Sequence, residues 1–207
     1  MKNIAYVSSE WFYDTDMTVL PYMAQKYDLY YIFNTNINNP RVETEQVKAL
    51  AKEYNFHLHI IDSHYKYLDL HNLLNNYKIN RYIQKNNIDL TYSISTSLYA
   101  LMLSWMLKCK RVFGIHDAVI HPGTHGAIVF KAVLKRLYQK FNHFTLFSDY
   151  QYNLFKSINP TKNAYLVGMS IKDFGQSKLV RKPIDNAVSV LFFGRIEEYK
   201  GLDLLIE

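Results

Sequence analysis

The chain has 207 residues, of which 49% are hydrophobic and 20% are charged. This length fits one domain with at most part of a second, and the composition excludes an intrinsically disordered protein. The net charge of +6 favours acidic partners, such as a phosphate-bearing substrate or an anionic membrane surface.

Short apolar runs alternate with longer amphipathic segments, a pattern typical of parallel sheets built through right-handed crossovers. The pattern predicts seven strands, at residues 3–8, 28–34, 56–62, 88–94, 111–116, 143–148 and 163–168. It predicts helices at residues 17–26, 41–54, 67–85, 97–108, 127–141 and 149–155, the last capped by Asp149. We therefore expect an α/β fold with a Rossmann-like, mainly parallel sheet and helices on both faces.

The periodicity stops after residue 170 and resumes with an apolar run at 188–193. This change predicts three parts: a Rossmann-like domain at 1–170, a linker at 171–187 and, at 188–207, the start of an incomplete second domain.

Residues 1–9 carry no signal-peptide pattern, and the apolar stretch at 98–107 is about half of the ~20 residues that cross a bilayer. That stretch is expected to be a buried helix. The single cysteine, Cys109, excludes an internal disulfide and a multi-cysteine metal site. A cytoplasmic location is the expectation.

The most informative segment is LFFGRIEEYKGLDLLIE at positions 191–207. An apolar strand ends at Gly194, where a ligand can approach the backbone, and Arg195 and Lys200 flank the turn before a helix. This arrangement suits a diphosphate. The segment resembles the opening of the second domain in family-4-type glycosyltransferases, which are retaining enzymes of GT-B fold. The resemblance implies that Arg195 and Lys200 hold the phosphates of a nucleotide-sugar donor.

A second motif, GIHDAVIHPG at positions 114–123, directly follows a predicted strand. Strand ends of an open α/β sheet face the ligand crevice, so His116, Asp117 and His121 are candidates for substrate contacts. The motif is similar to one in the first domain of the same family, where the first histidine reaches toward the transferred sugar. The alternatives are a loop whose His and Asp side chains satisfy each other and a metal site that includes His125. The resemblance implies transfer without a metal or another cofactor.

The loop after the first predicted strand contains Ser9, Glu10, Trp11, Asp14 and Asp16. Its side chains are candidates for contacts with sugar hydroxyls, and Trp11 for stacking on a sugar ring. Helix capping and solvation explain the acidic residues equally well. The family usually has a glycine-rich turn here, and this chain has no glycine in it.

By resemblance, the intact protein is expected to be a hexosyltransferase-type enzyme of cell-surface polysaccharide biosynthesis. It would transfer a sugar from a nucleotide-sugar donor to a carbohydrate or lipid-linked acceptor, with retention. The family's two-glutamate signature belongs further into the second domain, so residues 1–207 alone are expected to be inactive. Two alternatives are a non-catalytic partner of a transferase and a nucleotide-sugar epimerase.

The helix predicted at 127–141 carries four cations opposite its apolar stripe: Lys131, Lys135, Arg136 and Lys140. They indicate either a peripheral contact with an anionic membrane surface or simply a solvated face. No nucleic-acid reader motif is present, and nucleic acid is not an expected partner.

Overall fold

A computed structural model of the chain describes residues 1–36, 38–63, 70–94, 98–120 and 127–168, together with Leu202. The predicted linker and the predicted start of a second domain lie outside these residues, apart from Leu202. The account below concerns the described residues.

The described strands form one seven-stranded sheet in the order β3-β2-β1-β4-β5-β6-β7. Each neighbouring pair is parallel, so the prediction of a mainly parallel sheet is confirmed. The strands are β1 Asn3–Ser9, β2 Asp28–Asn36, β3 His57–Ser63, β4 Leu90–Ser93, β5 Lys110–Ile115, β6 His143–Leu146 and β7 Asn163–Leu166.

Six α-helices connect the strands, and each corresponds to a predicted helix. They are α1 Tyr13–Ala24, α2 Thr44–Glu53, α3 Leu70–Lys85, α4 Leu98–Met106, α5 Ala127–Lys140 and α6 Asp149–Ile158. Helix α1 starts earlier than predicted because a short 3₁₀ turn, Glu10–Phe12, leads into it directly. The cap of α6 is Ser148 rather than Asp149, since the Ser148 hydroxyl accepts the Gln151 N–H.

Helices cover both faces of the sheet, as predicted. Along β1, Ala5 and Val7 pack in one apolar cluster with residues of α3 and α4, such as Ile79 and Leu103. Tyr6 lies in another cluster, with residues of α1 and α2 such as Leu20. Because successive strand residues point to opposite faces, these two clusters lie on opposite sides of the sheet.

Helix α5 buries the predicted apolar stripe in a third cluster, where Leu137 packs with Phe113 and Phe144. Helix α4 is less buried than predicted, because Trp105 is 54% and Met106 is 37% exposed. No helix in the described part of the chain is long and apolar enough to span a membrane.

The strand order creates a switch point between β1 and β4. From β1 the chain passes through α1 to β2 on one side, whereas from β4 it passes through α4 to β5 on the other. The loops that follow the two strands therefore diverge and leave a crevice at the carboxyl edge of the sheet, where all the strands end. Ligands of open α/β sheets bind at such a point.

Candidate functional site at the carboxyl edge

Two segments predicted to carry site residues meet at the carboxyl edge. His116, which follows β5, lies between two aromatic rings. Its imidazole stacks on Phe12, from the turn after β1, with ring centroids 4.9 Å apart. On its other side it stacks on Phe147, which follows β6, at 4.6 Å. The stacking joins the loops after β1, β5 and β6 and fixes the plane of the imidazole.

The imidazole of His116 carries an unpaired polar atom. Its Nε2 is buried and has no hydrogen-bond partner among the described residues. Burial lowers the pKa of His116, and the neighbouring Asp117 carboxylate opposes that shift. The ring is therefore neutral at neutral pH. A buried polar atom without a partner costs about 1–3 kcal/mol, so the site is stabilised when another group supplies one.

Asp117 is held by the first turn of α6. The Gln151 side-chain amide donates to Asp117 Oδ1 at 3.3 Å. The carbonyl oxygen of the same side chain accepts the Ala118 N–H at 2.7 Å. Gln151 thus binds both the backbone and the carboxylate of the loop after β5, and it fixes the orientation of that loop relative to α6.

Gly114 leaves space for two aromatic side chains, those of Tyr92 and Phe147. A Cβ at this position would lie 2.7 Å from the Tyr92 hydroxyl and 3.2 Å from Phe147 Cζ. Tyr92 is itself fixed by a 2.8 Å hydrogen bond between its hydroxyl and that of Thr145. The absence of a side chain at Gly114 therefore leaves room for Tyr92 and for Phe147, the ring that stacks on His116.

The loop after β1 is tied to the loop after β2 by Glu10. This residue is only 5% exposed. Its Oε2 accepts hydrogen bonds from the Thr35 hydroxyl at 3.2 Å, the Asn36 N–H at 3.4 Å and the Arg41 N–H at 3.0 Å. Three donors, two at the end of β2 and one in the loop that follows it, give this carboxylate a structural function. Ser9 beside it is also buried.

Trp11 is accessible in this loop, with 49% of its surface exposed. The Arg41 guanidinium carbon lies 3.2 Å from the centroid of its ring, a cation–π contact. Arg41 therefore covers one face of the indole, and a sugar that stacks on Trp11 would have to use the other face or displace Arg41.

Asp16 is completely buried in α1 and is not a surface contact for hydroxyls. The Tyr31 hydroxyl donates to Asp16 Oδ2 at 2.7 Å. Asp16 Oδ1 accepts no hydrogen bond from the described residues. Burial raises the pKa of Asp16 to about 7, and the hydroxyls of Tyr31, Ser8 and Tyr6 offset part of that shift. This carboxyl group therefore titrates near neutral pH.

Several predicted site residues lie outside the described residues: His121, His125, Gly194, Arg195 and Lys200. The structure brings His116 near the loop of Ser9, Glu10 and Trp11 through the stacking of Phe12 on the His116 ring. No group of three or more His, Cys, Asp or Glu side chains suited to a metal ion occurs in the described ranges.

Solved structures with a similar fold include glycosyltransferases. A glycosyltransferase from Rickettsia africae matches with a TM-score of 0.56 and 12% identity, over 81% of this chain and 43% of that chain. Anabaena HepE in complex with UDP and glucose matches with a TM-score of 0.58 and 9% identity, over 83% and 45%. UGT73P12 from Glycyrrhiza uralensis matches with a TM-score of 0.54 and 10% identity, over 81% and 49%.

At these identities the likeness shows the fold alone. The fold is Rossmann-like α/β and matches the domains of GT-B glycosyltransferases. The chain spans less than half the length of each of the three structures. No protein-family model and no curated protein matches the chain.

Proposed function

We propose that this chain forms the acceptor-side domain of a GT-B-type glycosyltransferase that uses a nucleotide-sugar donor. The observation that carries the proposal is the buried Nε2 of His116, which lacks a protein partner among the described residues. It lies at the switch-point crevice of a fold found in glycosyltransferases. A sugar hydroxyl or a leaving phosphate would supply the missing hydrogen bond.

The neutral imidazole suits this role, because it forms a hydrogen bond to a sugar hydroxyl without bringing a charge into the crevice. Phe12 and Phe147 hold the ring in one orientation, which reduces the entropy lost when substrate binds. Asp117, oriented by Gln151, shapes the pocket beside it.

The predicted residues outside the described ranges complete the proposed site. Gly194 lets the donor diphosphate approach the backbone, and Arg195 and Lys200 stabilise the charge that develops on the leaving nucleoside diphosphate. His121 contributes to the sugar pocket. With two cations at the diphosphate, the transfer needs no metal and no other cofactor. The resemblance to family-4-type enzymes supports retention at the anomeric carbon.

The acceptor in this proposal is a carbohydrate or a lipid-linked carbohydrate of cell-surface polysaccharide synthesis. The protein would act in the cytoplasm, with the exposed cations of α5 allowing a peripheral contact with the inner face of the membrane. Residues 1–207 alone would bind donor weakly.

An activity assay on the protein encoded by the complete gene tests the proposal. A panel of nucleotide sugars is incubated with a mixture of carbohydrate and lipid-linked acceptors, and release of nucleoside diphosphate is measured with and without a chelator. We expect acceptor-dependent release that the chelator does not change. The His116→Phe variant keeps an aromatic ring in the stack but removes Nε2, so its rate should fall by at least ~100-fold.

The matched control is His143→Phe, which replaces an exposed histidine that stacks on Tyr165 at the far end of β6. This variant should keep its activity. Equal rates in the two variants would show that His116 does not contact the reacting groups. Conversion of a donor without any acceptor would support an epimerase instead.

A further inference from the structure

A groove with a volume of about 450 Å³ lies between β3 and α3. Strand β3 is the outermost strand on its side of the sheet, so one edge of it is not covered by another described strand. We call this feature the basic groove. Its lining includes one aromatic ring, one imidazole and three cations: Tyr82, His59, Lys78, Arg81 and Lys85.

The three cations share one face of α3. Lys78, Arg81 and Lys85 are three and four residues apart, a spacing that places side chains in a row along a helix. From the first to the last the row extends about 10 Å, at about 1.5 Å per residue. All three are exposed. None lies within 4.0 Å of a carboxylate oxygen in the described part of the chain.

Two stacked rings connect the β3 side of the groove to the α3 side. His59, from β3, stacks on Tyr82 with ring centroids 4.1 Å apart and an angle of 6° between the rings. Burial lowers the pKa of His59, and the Lys78 ammonium lowers it further. The imidazole is thus neutral at neutral pH, and the charge of Lys78 makes the electrostatic potential around it positive. The carboxyl end of β3 is fixed by Asn75, whose amide donates to the Asp62 carbonyl at 2.7 Å.

The basic groove is separate from the candidate site. Helix α3 runs back toward the amino edge of the sheet, since the Ile88 N–H donates to the Ile83 carbonyl, and the Asp89 N–H to that of Asn3 at the start of β1. Lys85 therefore lies near the amino ends of the strands, whereas His116 follows the carboxyl end of β5. A ligand in the groove would not occupy the crevice at the switch point.

We propose that the basic groove binds a ligand with two or more linked phosphates, and this proposal goes beyond the proposed transferase function. Three like charges in a row repel each other, and a polyanion between them removes that repulsion. A row of about 10 Å matches linked phosphates better than a single one. Arg81 adds bidentate hydrogen bonding to phosphate oxygens. The volume lies within the range of about 300–1,000 Å³ that small-molecule sites occupy.

Asp62, also in the lining, places one carboxylate at the rim, which favours a compact polyphosphate near the cations over a ligand that fills the whole groove. The linked phosphates can belong to a soluble molecule or to a lipid headgroup.

The test is calorimetric titration of the protein with inorganic pyrophosphate and tripolyphosphate at low salt. The variant K78Q/R81Q/K85Q removes the row and should raise the Kd for tripolyphosphate at least tenfold. The matched control, K131Q/K135Q/R136Q, removes the same three charges from an exposed face of α5 and should leave the Kd within twofold.

Two further measurements separate the outcomes. The ring resonances of His59 should shift on addition of tripolyphosphate in the control variant and not in K78Q/R81Q/K85Q. The protein is also sedimented with phosphatidylcholine vesicles that contain a pyrophosphate-linked lipid. Binding to these vesicles would show that the linked phosphates belong to a lipid headgroup. No binding would show that they belong to a soluble molecule. If both triple variants lose affinity equally, or the wild type shows no saturable binding of tripolyphosphate, the basic groove is not a phosphate site. The single variant R81Q gives the same comparison if the triple variant does not fold.

Discussion

Replacing Gly114 by alanine tests the packing around Tyr92 and around Phe147, the ring that stacks on His116. The new Cβ would lie 2.7 Å from the Tyr92 hydroxyl, 3.2 Å from Phe147 Cζ and 3.3 Å from Tyr92 Cζ. Tyr92 cannot yield cheaply, because its ring stacks on Tyr6 at 5.2 Å and its hydroxyl bonds Thr145 at 2.8 Å.

The expected cost follows from these contacts. Overpacking costs about 1–3 kcal/mol. Loss of the hydrogen bond to Thr145 adds about 1 kcal/mol. Alanine also lowers the conformational entropy of the unfolded chain, which stabilises the folded state by about 0.4–1 kcal/mol. We therefore expect Gly114→Ala to lower the free energy of unfolding by about 2 kcal/mol, measured by urea denaturation followed by circular dichroism.

The variant Tyr92→Phe provides the internal control, because it removes the hydroxyl that makes the shortest contact. In this background Gly114→Ala should cost less by at least ~1 kcal/mol, which a double-mutant cycle measures directly. The same cost in both backgrounds would refute the reasoning, since the hydroxyl would then not be the group that clashes.

Four further substitutions test other contacts by the same denaturation assay. The pKa of Asp16 is raised from 3.8 to about 7 in the folded protein, so the contribution of this group to stability is fully present below about pH 4 and falls by up to about 4 kcal/mol as pH rises to 7. Asp16→Asn should abolish this pH dependence, and an unchanged slope would contradict the assignment. Glu10→Gln should cost about 1–3 kcal/mol, because a carboxylate that accepts three hydrogen bonds becomes an amide; a change within error would mean that these bonds contribute little. Ser148→Ala should cost about 1 kcal/mol through loss of the α6 cap, whereas Asp149→Ala should cost less.

Much of the fold follows from local sequence patterns. Strands buried on both faces are continuous apolar runs, and for this reason the predicted run at residues 3–8 coincides with β1, Asn3–Ser9. The sequence also predicts the apolar stripe on α5, because helical spacing places Leu134 and Leu137 on one face. Parallel pairing then follows from the alternation of strands and helices.

Sequence reasoning is weakest where the environment of a side chain depends on tertiary contacts. For the acidic residues after β1 it leaves substrate contact and a role in the helix equally open, and the structure places Asp14 and Asp16 in the first turn of α1, where acidic side chains interact favourably with the helix dipole. Helix α4 is uniformly apolar in sequence, so no periodicity indicated that Trp105 and Met106 would be exposed.

Only some residues of the candidate site can be predicted from the sequence. His116 and Asp117 were found because they directly follow a predicted strand. Sequence patterns do not identify Phe12 and Phe147 as neighbours of His116. These contacts join three segments that are far apart in the chain, and they depend on the order of the strands in the sheet. The available signal is that Phe147 lies near the carboxyl end of the strand predicted at 143–148, at the edge of the sheet where ligands bind. The sequence carries no signal for the contact of Arg41 with Trp11, because a cation at the start of a predicted helix is usually solvated.

The most direct test of the central claim is the state of the His116 imidazole when the donor binds. In the complete protein labelled with ¹⁵N-histidine, Nε2 should report a neutral ring at pH 7 in the free state. Its resonance should shift as the nucleotide sugar identified in the activity assay reaches saturation, because the buried nitrogen gains a hydrogen-bond partner. A donor that saturates the protein while the Nε2 resonance of His116 stays unchanged would contradict the account.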